Sequence, residues 1–235
     1  LSIKHPTVAA ERHLVERCGP QLTEALMGMV SYQELLFPGG SLKAVQGVYE
    51  NRVHSIFYNS CVVATVAALI ALQPIGRHVV AVEVGSGTGG TASSILPVVD
   101  GACKCYTFTD VSEVFLSHAR IRFADFAFLE YMLLNIDADP RLQGFAARQR
   151  DVIISTNCLH ATPFMRNTLR HCEQLLRKAG MLVVNEGLAT ATFVQMTFGM
   201  TDGWWLFSES RDPERVGQDS PLLSWRQWQA LLVDS

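Results

Sequence analysis

One acidic residue and four glycines lie close together in the segment 83–90, which reads EVGSGTGG and follows an apolar stretch at 79–82. The pattern predicts a buried strand, a glycine turn and then a helix that starts at Thr91. Glycine lets the backbone bend sharply and approach a ligand closely. Because a strand, a glycine turn and a helix in this order form a cofactor cradle, the segment indicates a nucleotide-type ligand.

Two cofactor patterns fit this segment. The dinucleotide pattern GxGxxG starts at Gly85, and Asp110 lies near the distance expected of its ribose-binding carboxylate. The pattern ExGxGxG of proteins that bind S-adenosylmethionine (SAM) starts at Glu83 and continues through Gly87 and Gly89. A carboxylate repels a pyrophosphate but tolerates the ammonium and sulfonium groups of SAM, so Glu83 favours SAM over NAD. A purely structural turn remains an alternative, because GxGxxG alone is weak evidence.

A histidine and a glutamate follow two later predicted strands. His160 comes just after a strand at 152–156, and Glu186 ends a strand at 181–185. Since neighbouring parallel strands bring their carboxyl ends to one edge, we expect the two side chains to lie close together. A carboxylate orients an imidazole and stabilises its protonated form, which suits a general base. A solvated pair at the rim of the sheet is the alternative.

The elements that position these residues alternate along the chain. The pattern predicts strands separated by helices, the helices being one that starts at 91, one over 112–134 and one over 163–178 that Gly180 ends. The predicted strands are 79–84, 104–109, a short one at 133–136, 152–156 and 181–185. This alternation predicts an α/β fold with a mainly parallel sheet covered on both faces, and a ligand outside the carboxyl ends of its strands.

The first part of the chain shows no strand-like alternation. Its apolar spacing predicts helices, interrupted by turn residues in the sequence FPGGS at 37–41. The predicted helices are 8–15, 21–30, 42–49 and 56–72. We therefore predict a helical lid subdomain over residues 1–72 and a core over residues 73–235.

Composition excludes several classes of function. A chain of 235 residues with 49% hydrophobic content can bury one core and a small accessory element. The net charge of -3 and the absence of long basic runs argue against a nucleic-acid partner. The longest apolar window, 61–73, is too short to span a bilayer, and a cytoplasmic location is expected. Six cysteines without paired CxxC spacing indicate neither a metal site nor a disulfide framework.

Seven motifs together resemble the C-methyltransferase domains of modular and fungal polyketide synthases, which belong to the class I methyltransferase superfamily. The motifs run through nearly the whole chain, and the ordered set is specific although each alone is weak. They are LFPGGS at 36–41, YNS at 58–60, EVGSGTGGT at 83–91, FTDVS at 108–112, NCLHAT at 157–162, NEG at 185–187 and TFGMTDGWWLF at 197–207.

The resemblance implies a Rossmann-like fold and a reaction. The reaction is methyl transfer from SAM to the α-carbon of a β-ketoacyl thioester on an acyl carrier protein, with flanking synthase domains as further partners. It also implies that His160 and Glu186 are the catalytic pair, acting through an enolate. The alternatives are an O-methyltransferase domain acting on a β-hydroxyacyl thioester, a non-catalytic scaffold domain and, third, a nicotinamide reductase.

The resemblance and the strand ends together select the candidate binding residues. The candidates for SAM are Glu83, Gly85, Ser86, Gly87, Gly89, Asp110, Asn135, Asp137 and Asn157, and those for substrate are Tyr58, Asn59, Trp204 and Trp205, with Tyr49 as a further lid candidate. Asp110 can instead be an acid at a helix N-terminus. The chain has Asn135-Ile136-Asp137 where the family often has aspartate-isoleucine-glutamate, so the adenine contact is open between the two polar residues. Core or lid packing is the alternative for the tryptophans and for the tyrosines.

Overall fold

The computed structural model describes residues 6–233, so residues 1–5 of the predicted lid and the last two residues lie outside the described part. Within it the strands form one parallel sheet with the order β3-β2-β1-β4-β5. The strands are β1 (Val79–Val84), β2 (Cys103–Asp110), β3 (Leu129–Leu133), β4 (Arg150–Thr156) and β5 (Leu176–Asn185). This arrangement confirms the predicted α/β fold with a mainly parallel sheet.

Helices cover both faces of the sheet and form a separate group before it. They are α1 (Ala9–Cys18), α2 (Leu22–Leu26), α3 (Tyr32–Leu36), α4 (Lys43–Glu50), α5 (Val53–Ala71), α6 (Gly90–Val99), α7 (Glu113–Arg122), α8 (Met165–Leu175), α9 (Thr192–Met196), α10 (Asp202–Glu209) and α11 (Trp225–Val233). Helices α5, α6 and α7 contribute to the core on one face, and α8 and α11 to the core on the other. The central strand β1 is almost continuously apolar because both of its faces are covered.

The register of the sheet aligns the carboxyl ends of its central strands. Glu83 pairs with Phe108 of β2 and with Ile154 of β4, and Asn185 of β5 pairs with Thr156. The residues that follow these strands therefore meet at one edge of the sheet, above the glycine turn.

The predicted lid helices pack around a third apolar cluster. Leu14, Leu36 and Val48 are buried there together with Met200, which follows the last strand. Helix α5 differs from the other lid helices because Val62, Val66 and Leu69 are part of the core on the sheet. The boundary at residue 72 stays a prediction.

Helix α5 is the described helix that is long and apolar enough to cross a membrane, by length and composition only. The apolar window at 61–73 covers only part of this helix, because α5 begins at Val53. One such helix is weak evidence for membrane insertion, since a core helix of a soluble protein passes the same test.

Several expected boundaries are wrong, and the helix expected over 21–30 ends at Leu26. The helix expected over 112–134 ends at Arg122, and the third strand occupies Leu129–Leu133 rather than 133–136. Phe126 and Phe128, read as helical, belong to the connection and pack against the core. The helix expected over 163–178 ends at Leu175, and Gly180 lies inside β5, where a Cβ would lie 3.0 Å from the Arg150 carbonyl oxygen. That glycine permits close approach of two strands and does not end a helix.

A buried carboxylate ties down the opposite, amino-terminal end of the sheet. Asp151 at the start of β4 is 2% exposed and accepts a hydrogen bond from the Val80 N–H at 2.8 Å. It also pairs with the guanidinium groups of Arg77, at 2.6 Å, and Arg177. Both arginines contact the side-chain oxygen of Gln73 as well, so this cluster fixes the connection between α5 and β1.

The six cysteines are free thiols, and Cys61 on α5 is the exposed one. Burial raises the pKa of the Cys103 and Cys172 thiols to about 12, and it also raises the pKa of the Cys158 thiol. These three side chains are therefore packing groups at neutral pH.

Candidate active site

A cavity of about 690 Å³ lies at the carboxyl ends of β1, β2, β4 and β5, beneath α4 and the start of α5. It brings together most of the residues selected from the sequence. Those that line it are Glu83, Gly85, Ser86, Gly87, Asp110, Asn135, Asn157, His160, Glu186, Tyr58, Asn59, Trp204 and the further lid candidate Tyr49. Cofactor and substrate candidates thus share one cavity.

Three selected residues do not line the cavity, and we propose no ligand contact for them. Gly89 packs beneath the ring of Phe123, and the Asp137 N–H donates to the side-chain oxygen of Asn135. Trp205 donates its indole N–H to the Gly199 carbonyl at 2.8 Å. The preceding residue in α10, Trp204, faces the cavity instead, because successive side chains of a helix point about 100° apart.

The glycine turn requires its glycines for two different reasons. Gly85 and Gly87 have positive φ angles of 66° and 53°, a backbone region that other residues enter at a cost. A Cβ on Gly85 would lie 2.1 Å from the Cys158 sulfur, whereas a Cβ on Gly87 would meet no atom of the described residues within 4 Å. Gly85 therefore permits close packing against Cys158, and Gly87 presents bare backbone to the cavity.

Asp110 holds the glycine turn in place. Its carboxylate accepts hydrogen bonds from the Gly87 N–H at 3.0 Å and from the Ser112 N–H at 2.9 Å. Burial raises the pKa of Asp110, and these backbone N–H groups oppose that rise. Because an ionised carboxylate has about four acceptor positions, it retains the capacity to bind ribose hydroxyls. Ribose binding by Asp110 stays a prediction.

Glu83 is a carboxylate buried at the end of β1, with 1% exposure. The hydroxyl of Tyr106 donates to its Oε2 at 2.8 Å. Burial raises the pKa of Glu83 to about 7, the Tyr106 and Ser86 hydroxyls oppose this, and the charge of Asp110 adds to it. Such a group ionises most readily beside a cation, and the methionine part of SAM carries two cationic groups. The buried carboxylate of Glu83 therefore fits the cationic end of SAM.

Tyr106 was not among the residues selected from the sequence, because the pairing register of β1 with β2 is what places it beside Glu83. Glu83 pairs with Phe108, and Tyr106 lies two residues earlier on the same face of β2.

His160 and Glu186 form a hydrogen-bonded pair at the rim of the cavity. His160 lies in a short 3₁₀ helix, Leu159–Ala161, directly after β4. Its Nδ1 lies 2.6 Å from Glu186 Oε2, and the two side chains are 12% and 2% exposed. Glu186 Oε1 accepts the N–H groups of Cys158 at 2.9 Å and Leu159 at 2.7 Å. A carboxylate in this position makes Nδ1 the proton donor, which leaves Nε2 as the basic nitrogen.

An aromatic side chain supports the imidazole from another side. The ring of Trp204 meets His160 edge to face, with 5.5 Å between ring centroids. Trp204 is 4% exposed and lines the cavity. Trp204 packs in the core and also forms part of the cavity wall. Its position is therefore compatible with both interpretations from the sequence, core packing and a substrate contact.

The three lid residues selected from the sequence all line the cavity, beside Arg52, His54 and Ser55. Asn59 is buried and joins the lid to α6, because its Nδ2 donates to the Tyr49 carbonyl and its Oδ1 accepts from the Thr91 hydroxyl. Tyr58 is half exposed and packs against Phe57. The hydroxyl of Tyr49 has no hydrogen-bond partner within residues 6–233, and burial together with the charges of Glu186 and Cys158 raises its pKa. Tyr49 is therefore a neutral donor at neutral pH.

Asn135 is the polar residue that the third strand supplies to the cavity. Its backbone N–H donates to the Gln143 side chain at 2.8 Å, which fixes the connection after β3. Of the two residues left open for an adenine contact, Asn135 lines the cavity and Asp137 does not.

Comparison with known proteins agrees with this architecture. A family model described as a methyltransferase domain matches residues 82–182. The crystallised carbon methyltransferase CurJ is 36% identical and superposes with a TM-score of 0.94, over 100% of this chain and 61% of that one. The trans-methyltransferase CalH, crystallised in complex with SAH, is 27% identical with a TM-score of 0.76, over 92% of this chain and 58% of that one. The fold is that of the class I methyltransferases.

Sequence relatives give the family. Polyketide synthase ThaG of Burkholderia thailandensis is 38% identical over 224 residues, which are 94% of this chain and 4% of that synthase. The chain thus spans a small part of the curated relatives that it matches. It belongs to the methyltransferase domains of polyketide synthases.

Proposed function

We propose that this domain transfers a methyl group from SAM to the α-carbon of a β-ketoacyl thioester carried by an acyl carrier protein, within a cytoplasmic polyketide synthase. The observation that carries the proposal is the 2.6 Å contact between His160 and Glu186 in the cavity that the glycine turn also lines. A base and a cofactor cradle in one cavity are what methyl transfer to a carbon acid requires.

His160 is the general base in this proposal. A hydrogen between a ketone and a thioester is acidic enough for a positioned imidazole to remove, and Nε2 is the free basic nitrogen. Glu186 stabilises the imidazolium that forms, because its carboxylate lies against Nδ1. The Tyr49 hydroxyl is available to donate to the enolate oxygen, where negative charge develops.

The chain's own residues account for cofactor binding in the proposal. Glu83 faces the cationic methionine part, Gly87 forms the floor, and Asp110 accepts from the ribose hydroxyls, with Ser86, Asn135 and Asn157 also on the lining. When bound, SAM supplies the electrophilic methyl group of its sulfonium.

The proposal is tested by mass spectrometry of a β-ketoacyl pantetheine or carrier-protein thioester after incubation with the protein and SAM. Fragmentation locates the added methyl group, which we expect on the α-carbon. A methyl group found only on the hydroxyl of the reduced substrate would show O-methylation instead. No binding of SAM would indicate a scaffold domain.

A variant separates the base from the cofactor site. His160→Ala is expected to abolish methylation while changing the Kd of SAM by no more than about twofold, because the histidine acts on the substrate. His171→Ala is the matched control, since His171 also bonds through Nδ1, to the Ile136 carbonyl, but does not line the cavity. A large loss of SAM binding in His160→Ala would contradict the assignment of His160 as the base.

A further inference from the structure

A buried arginine far along the chain contacts the turn that carries His160. Arg215 ends a short 3₁₀ helix, Pro213–Arg215, and is 1% exposed. Its Nη1 donates to the carbonyl of His160 at 2.7 Å, and its Nη2 donates to the carbonyls of Thr162 at 2.6 Å and Pro163 at 3.2 Å. One guanidinium thus holds three carbonyls of a single turn.

The turn is held from two sides. Glu186 accepts the N–H groups of Cys158 and Leu159 on one side, and Arg215 donates to the carbonyls on the other. His160 lies between the two sets of bonds. The direction of its side chain is therefore set by both groups, since the backbone of the turn cannot shift without breaking one of the sets.

The charge of Arg215 is compensated within the core. Its Nε donates to Asp212 Oδ2 at 2.6 Å, and the guanidinium lies over the ring of Phe207, 5.3 Å from the centroid. Burial lowers the pKa of Arg215, while the charges of Asp212 and Glu186 raise it. A buried ion pair often contributes less stability than apolar residues of the same volume. The forked guanidinium of Arg215 reaches several acceptors at once, which an apolar side chain cannot do.

We propose that Arg215 is a positioning residue for methyl transfer, which fixes the backbone of the His160 turn so that the imidazole stays aligned with Glu186. The inference rests on the proposed role of His160 as the base. Arg215 does not line the cavity and acts through the turn alone.

The test compares Arg215→Ala and Arg215→Lys with the wild-type protein. We measure kcat and KM on a β-ketoacyl pantetheine thioester, the Kd of SAM, and the proton resonance of the His160 Nδ1–H, assigned by its absence in His160→Ala. We expect kcat to fall roughly 100-fold in Arg215→Ala and roughly tenfold in Arg215→Lys, because loss of alignment at a base has effects of this size. Lysine keeps the charge but cannot reach all of the acceptors. The Arg215→Lys variant also keeps the test decisive if Arg215→Ala does not fold.

Asp151→Asn is the matched control for stability, because it removes a buried ion pair at the other end of the sheet. The proposal is supported if kcat falls and the His160 resonance moves in the Arg215 variants alone, with the Kd of SAM retained. It is overturned if those variants lose thermal stability as Asp151→Asn does but keep kcat and the resonance. A wild-type protein without activity on the thioester would count against the proposed function, and the resonance would still decide the role of Arg215.

Discussion

Two buried carboxylates lie at opposite ends of the sheet and have different kinds of partner. Asp151, at the amino-terminal end, is held by two guanidinium groups and the Val80 N–H. Glu186, at the carboxyl end, is held by two backbone N–H groups and an imidazole. Both side chains are nearly inaccessible, at 3% and 2% exposure.

The difference lies in whether a partner can exchange a proton. Guanidinium groups are donors only, so both side-chain partners of Asp151 serve to hold its carboxylate. A neutral imidazole has one donor and one acceptor nitrogen, so the partner of Glu186 keeps an acceptor at Nε2. Similar burial therefore accompanies a static clamp at one end of the sheet and, in our proposal, proton transfer at the other.

Glu186→Gln is the strongest test of this difference. A glutamine amide can donate to Nδ1 and thereby favour the imidazole form that carries its proton on Nε2, which cannot act as a base. We expect kcat to fall roughly 10³- to 10⁴-fold, as is typical when the carboxylate partner of a catalytic histidine is neutralised. Steady-state kinetics and the Kd of SAM measure the effect. Activity within tenfold of the wild type would mean that the pair is only a rim contact.

Asp151→Asn is the reciprocal test at the other end of the sheet. The loss of a buried charge leaves two guanidinium groups without their anion, and about 2 kcal/mol of unfolding free energy should be lost, because both arginines are partly solvated. Urea unfolding measures this loss. The kcat of the folded variant should equal that of the wild type, and a fall in kcat would show that the clamp reaches the active site.

Glu83→Gln tests a third buried carboxylate, whose proposed partner is the cofactor. Since burial raises the pKa of Glu83 to about 7 from its ordinary value of 4.5, this residue contributes most stability to the free protein below pH 4.5, and the contribution is lost as the pH rises to about 7. SAM favours the ionised form, so its Kd should weaken about tenfold between pH 8 and pH 6. Calorimetric titrations at both pH values measure this change.

The Glu83→Gln variant should bind SAM more weakly, and its Kd for SAM should no longer depend on pH in this range. Glu130→Gln, an exposed carboxylate on β3, is the control and should retain it. The same slope in Glu83→Gln and in the wild type would assign the titration to another group.

The sequence was sufficient to predict the sheet and the edge at which the candidate site lies. The apolar run before Glu83, the glycine turn and the acid at Asp110 predict β1 and β2. The proximity of His160 and Glu186 followed from the rule that parallel strands end at one edge. These predictions rely on local patterns, and such patterns persist in the folded protein.

The sequence was insufficient where tertiary contact decides. Gly180 reads as the end of a helix, but the approach of β5 to β4 makes it a strand residue. Leu129–Leu133 reads as helix because a short edge strand has no clear alternation. Arg215 carries no motif at all, and its contact with a turn 55 residues earlier exists only in the folded chain.

The distribution of thiols makes the protein suitable for selective labelling. Cys61 is exposed on α5, one turn after Phe57 and Tyr58, whereas burial raises the pKa of Cys103, Cys158 and Cys172. A maleimide dye reacts with thiolates that it can reach, so it should attach first to Cys61. A fluorophore there would lie one helical turn from Tyr58, which lines the cavity, and its emission should respond to the entry of the proposed acyl chain without any engineered cysteine.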